Sequence, residues 1–121
     1  MNFWNTIVDA YDKQFDLETV RHVENVLDHI PLKLIDLLTD IINTFELELE
    51  IEHNRFFWVQ QKPIYGCYGI YFSFEFERES TWIYAHILIQ HLTTDELLFA
   101  EHSSDLGYVY QKLKEFIEND F

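Results

Sequence analysis

From Phe45 to Glu52 the chain alternates without a break, Phe-Glu-Leu-Glu-Leu-Glu-Ile-Glu. That period belongs to a strand and not to a helix. Phe45, Leu47, Leu49 and Ile51 are therefore expected on one face, and Glu46, Glu48, Glu50 and Glu52 on the other. Glutamate is a poor strand former, and neighbouring carboxylates on one face repel. A strand that is merely wet on one side more often mixes Thr and Lys with Glu. The acidic face reads as a working surface.

The residues after it continue the pattern. With His53-Asn54 as a two-residue turn, Ile51 falls opposite Phe56, Leu49 opposite Trp58, Glu50 opposite Phe57 and Arg55 opposite Glu52. Phe57 and Val59 then share the glutamate face. A three-residue turn would put Phe56 and Trp58 there instead. In both cases aromatic rings stand among carboxylates, and Lys62-Pro63 breaks the strand.

Further strands are expected from Tyr65 to Phe76 and from Thr81 to His91, joined at Arg78-Glu79. Pairing about that turn sets Phe76 opposite Thr81, Phe74 opposite Ile83, Phe72 opposite Ala85, Ile70 opposite Ile87 and Tyr68 opposite Ile89, a nearly all-apolar core face. The other face carries Glu75 opposite Trp82, Ser73 opposite Tyr84 and Tyr71 opposite His86. Thr93 to Glu96 reads as a turn and Leu97 to Glu101 as a short fifth strand.

Three helices precede the strands. The first covers residues 2–13, with Asn2 as its cap and Phe3, Ile7 and Tyr11 on one stripe. Asp16 caps the second, which turns Leu17, Val20, Val23, Leu27 and Ile30 inward and ends near His29. Pro31 opens the third, which Asn43 and Thr44 close. A last helix, capped by Ser104, faces Leu106, Val109, Tyr110, Leu113, Phe116 and Ile117 inward. The expected fold is a single α+β domain over residues 1–121. It has three N-terminal helices, an antiparallel meander of four to five strands, a C-terminal helix, and the helices on the core side.

Charge narrows the function. The 121 residues carry a net charge of −14. The excess is spread throughout: 8 acidic against 3 basic residues over 1–44, 7 against 3 over 45–80, and 7 against 2 over 81–121. Direct binding to nucleic acid is disfavoured, because phosphate contacts need Lys and Arg. A basic protein partner is favoured, since opposite potentials speed encounter. Cys67 is the only cysteine. With no signal peptide and no membrane-length apolar run, a cytoplasmic location is expected.

No catalytic constellation stands out. None of the six histidines has HExxH spacing, and no second cysteine accompanies Cys67. His22 and His29 share a helix face without a carboxylate between them. Cys67 lies opposite Gln90 in the expected register and reads as a small gap-filler, and Gly66 to Gly69 opens no helix as a phosphate loop must. The glutamates lack the apolar pocket that would raise one pKa for acid–base work. The expectation is a binding protein, not an enzyme, with no metal and no cofactor. Its partner-binding candidates are Glu46, Glu48, Glu50, Glu52, Phe57, Tyr71, Glu75, Trp82, Tyr84 and His86, a mix of rings and charge typical of protein interfaces. In the competing reading, the C-terminal helix or a second subunit covers the aromatic half of this face.

In size, acidity, single cysteine and α+β make-up the chain resembles the immunity proteins of bacterial toxin–immunity pairs, in particular those of contact-dependent growth inhibition. The likeness rests on no diagnostic motif, so it carries over no binding residue. It implies a cognate basic toxin domain as partner, often a nuclease, neutralised at its active site or on an adjacent surface. The glutamates would then stand in for phosphates. Two alternatives use the same surface differently: a nucleic-acid mimic directed at a DNA-binding protein, and a non-catalytic adaptor module that forms a homodimer through the aromatic face.

Overall fold

The computed structural model describes residues 3–60, 68–77 and 82–120. Its elements run α1 (Phe3–Gln14), α2 (Leu17–Leu27), α3 (Leu32–Phe45), β1 (Glu48–Glu52), β2 (Arg55–Val59), β3 (Tyr68–Phe76), β4 (Ile83–His91), β5 (Glu96–Ser103) and α4 (Leu106–Asp120). The strands form one antiparallel sheet in the order β1-β2-β3-β4-β5. This is the expected α+β layout. One core joins helices and sheet, with Ile7, Val23, Leu34, Leu38 and Leu113 meeting Phe56, Phe72, Phe74, Ile87 and Ile89.

The largest difference from expectation lies at Phe45. It ends α3 and does not open a strand, and Glu46 is the C-cap with φ 52° and ψ 49°. The apolar series Leu38, Ile41, Ile42 and Phe45 continues the helical period through a residue that also fits the alternation. The helix closes by a six-to-one bond, the Leu47 amide donating to the Ile42 carbonyl at 3.1 Å. Glu46 thus occupies the left-handed position usually given to glycine, at roughly 1 kcal/mol. The alternating strand is confined to Glu48–Glu52.

The two-residue turn at His53-Asn54 is present, with each cross-strand pair expected for β1 and β2. Phe56 and Trp58 are accordingly buried on the helix side. Tyr11, fully buried on α1, pins this hairpin. Its hydroxyl reaches the Glu52 carbonyl at 2.6 Å and the Arg55 carbonyl at 2.8 Å. Burial, and then the charge of Glu52, push its pKa well above the usual tyrosine value.

Between β3 and β4 the register differs from expectation by two residues. Phe76 faces Ile83, Phe74 faces Ala85, Phe72 faces Ile87, Ile70 faces Ile89 and Tyr68 faces His91. A slip of two leaves every side chain on its expected face, so the core side survives while the partners change. On the other face Glu75 lies opposite Tyr84, Ser73 opposite His86 and Tyr71 opposite Leu88. The expected turn at Arg78-Glu79, Lys62-Pro63, the Asn2 cap, residues 65–67 with Cys67, and Thr81 lie outside the described residues.

Smaller corrections concern ends and caps. Asp16 caps α2 as expected, its Oδ1 accepting from the Thr19 amide at 2.9 Å. The helix nevertheless stops at Leu27, and Leu17 is 60% exposed, while Thr19 and Val20 of the same turn are buried. Asp105 and not Ser104 caps α4, its Oδ1 accepting from the Tyr108 amide at 3.1 Å. The turn before β5 ends at Asp95 in the left-handed conformation (φ 58°), and β5 already starts at Glu96. No helix among the described residues is long and apolar enough to cross a membrane.

Candidate functional site

All four helices lie on one side of the sheet. The Phe99–Phe116 ring contact puts α4 there, and the contacts of Phe3 with Phe56 and Trp58 put α1 there. The C-terminal helix therefore does not cover the aromatic face, contrary to the competing expectation. Among the described residues the opposite face of the sheet carries no helix.

Alternation sets which side chains stand on that open face. β1 contributes Glu48, Glu50 and Glu52; β2 Arg55, Phe57 and Val59; β3 Tyr71, Ser73 and Glu75; β4 Tyr84, His86 and Leu88; and β5 Ala100 and His102. Trp82 stands just before β4 with its ring edge-on to Tyr84. Nine of the ten expected residues thus share the face. Glu46 does not, since it caps α3.

A line of contacts crosses the sheet. The Arg55 guanidinium lies 4.8 Å from the Phe57 ring centre, Phe57 lies 5.6 Å from Tyr71, and Tyr71 stands edge-on to His86 at 6.0 Å. His86 lies 5.1 Å from His102, His102 5.4 Å from Tyr84, and Tyr84 6.1 Å from Trp82. The rings meet tilted or edge-on and not as face-to-face sandwiches, in keeping with the arrangements that such pairs prefer. The rings shield one another at the centre, yet Trp82 stays 53% and Tyr84 38% exposed.

The face is graded in charge. Its acidic part is the β1 edge, where Glu48, Glu50 and Glu52 are exposed. Arg55 interrupts it, bonded to Glu52 at 2.9 Å and 3.9 Å from Glu75. Sequence reasoning placed Arg55 opposite Glu52 but missed it as a member of the site. It also missed His102, because only the β4–β5 register brings that residue beside His86. Burial holds the His86 imidazole below its usual pKa, aided by His102 and Arg55 and opposed by Glu75.

Ser73, His86 and Glu75 place a hydroxyl, an imidazole and a carboxylate on one face. Ser73, however, is fully buried beneath the rings, and its Oγ bonds nothing among the described residues. A nucleophile needs both a base and an approach for substrate, and this hydroxyl has neither. Among the described residues no group of three or more His, Cys, Asp and Glu side chains is placed to hold a metal ion. Cys67, expected as a small gap-filler, lies outside the described residues. No protein-family model matches the chain, and no curated protein or solved structure matches it.

Proposed function

We propose that the chain is an immunity-type protein that binds a cognate basic toxin domain through the open sheet face. The observation that carries this reading is a band of Phe57, Tyr71, His86, Tyr84 and Trp82 that no helix among the described residues covers, beside three exposed edge glutamates, in a chain of net charge −14. Glu48, Glu50 and Glu52 supply the attraction that steers a basic surface in. The rings exclude water around the charge pairs so formed, and losing one buried partner costs about 2–5 kcal/mol of binding. In this reading Glu75 and Arg55 position the rings, and the protein acts without a cofactor, in the compartment where the toxin domain arrives.

The test is growth of cells that produce the toxin domain encoded beside this chain's gene. The parent chain restores growth, and the Glu48→Gln, Glu50→Gln double variant keeps its melting temperature and does not. Equal protection by the double variant removes the acidic edge from the account. A gene neighbourhood without a toxin domain sinks the immunity reading. A self-associating module is the second reading, favoured by the exposure of Trp82 and Tyr84. It predicts a dimer in sedimentation that Trp82→Ala dissolves.

A further inference from the structure

Four of the six histidines have a hydrogen-bonding task within the fold. The His22 ring donates to the Glu77 carbonyl at 2.6 Å and His29 Nδ1 to the Asn25 carbonyl at 2.8 Å. His53 shares a bond with the Thr19 hydroxyl at 3.3 Å, and His91 Nδ1 accepts from the Thr94 amide at 3.3 Å. His86 and His102 differ. Their rings contact only other rings among the described residues, and they form a directly opposed pair on β4 and β5. His86 is half-buried and His102 exposed.

We propose that His86 and His102 form a two-nitrogen chelate for a divalent transition-metal ion on the open sheet face. An ion about 2.0–2.1 Å from an imidazole nitrogen lies roughly 3.1–3.2 Å from that ring's centre, so two rings on one tetrahedral ion have centres about 5 Å apart. The centres of His86 and His102 are 5.1 Å apart. The β4–β5 register holds the two residues directly opposite one another on the same face, within reach of one ion. Imidazole selects Zn²⁺, Ni²⁺ and Cu²⁺ over Mg²⁺ and Ca²⁺, with Cu²⁺ the tightest of the first-row ions. The surroundings admit a dication. Glu75 and the acidic body attract it, Arg55 opposes it, and Tyr71 and Tyr84 flank the pair without charge. The remaining coordination positions fall to water or to a side chain of a bound partner. The site stands whether or not the partner is a toxin.

Calorimetric titration of the whole chain with Zn²⁺ and Ni²⁺ tests this. The expected result is one saturable equivalent, tighter than about 1 mM. Its affinity drops at least about tenfold in His86→Gln or His102→Gln, since a single imidazole loses the effective concentration of the second. His91→Gln leaves it unchanged. The melting temperature of the parent, but of neither chelate variant, should rise with metal, because the ion binds the folded pair only. Electron paramagnetic resonance of the Cu²⁺-loaded parent reads the ligands without any variant, and two imidazole nitrogens are expected. A single nitrogen, no saturable site, or an equal loss in His91→Gln overturns the proposal.

Discussion

On β3 the side chains facing the helices are Ile70, Phe72, Phe74 and Phe76, none more than 4% exposed. Those facing the other way are Tyr71, Ser73 and Glu75, set among Phe57, His86 and Arg55. One strand thus presents two kinds of surface separated by a single peptide unit. The helix side is apolar and closed, and folding alone accounts for its residues. The open side spends large rings where no helix among the described residues covers them and sets carboxylates along one edge, which folding does not require. Side chains there are free to answer to a ligand.

That contrast predicts unequal costs for similar changes. Phe74→Ala, on the closed side, should lose about 3–5 kcal/mol in denaturant unfolding. Tyr84→Ala, on the same sheet but facing out, should lose under about 1 kcal/mol. Similar losses at the two positions would mean that something covers the open face in solution.

Tyr11→Phe probes how the closed side holds the acidic edge. The ring stays, the hydroxyl that pins the Glu52 and Arg55 carbonyls goes, and about 1–2 kcal/mol of stability should go with it. Amide exchange at the β1–β2 turn should quicken more than in β3. Uniform quickening would mean that the hydroxyl serves the whole core and not the hairpin.

The double change Glu48→Gln with Glu50→Gln should alter stability by no more than about 0.5 kcal/mol, and upward if repulsion along β1 matters. Cooperative destabilisation would make the edge glutamates structural and weaken their assignment to a partner.

The smallest effect is electrostatic. His86 has a folded pKa below its unfolded value, so the unfolded chain takes up its proton first as pH falls. Its contribution is present in full above the ordinary histidine pKa. It is lost as pH drops through that value toward the lower folded one. His86→Gln should flatten this part of the stability–pH profile. An unchanged slope would assign the titration to another group.

Most of the layout is legible in the residues. Helical spacing of apolar side chains marks all four helices, and alternation marks which side of β1 to β4 is wet. At His53-Asn54 the residues leave a two-residue and a three-residue turn open, and the structure has the two-residue one. The misreadings share a cause. At Phe45 one apolar residue satisfies both the helical and the strand period, and the helix wins because Ile41, Ile42 and Phe45 continue its buried stripe. At Ser104 two neighbouring residues are both able caps, and the geometry selects Asp105. Of the candidate site, the edge glutamates and the rings of β2 to β4 can be read locally. His102 cannot, because its place depends on pairing with a distant strand.

By itself, then, the sequence determined the order of elements, the two faces of β1 to β4 and the acidic character of the body. Each of these follows from local spacing and composition. Tertiary structure alone decided the β3–β4 register, since an alternating pattern is unchanged by a slip of two residues and side-chain type cannot choose between such registers. It also decided that the C-terminal helix joins the other three on the expected core side, which leaves the Tyr71–His86–His102–Tyr84 band without a helix over it among the described residues. That choice depends on where buried apolar area is greatest for the whole chain, a sum that no single stretch contains.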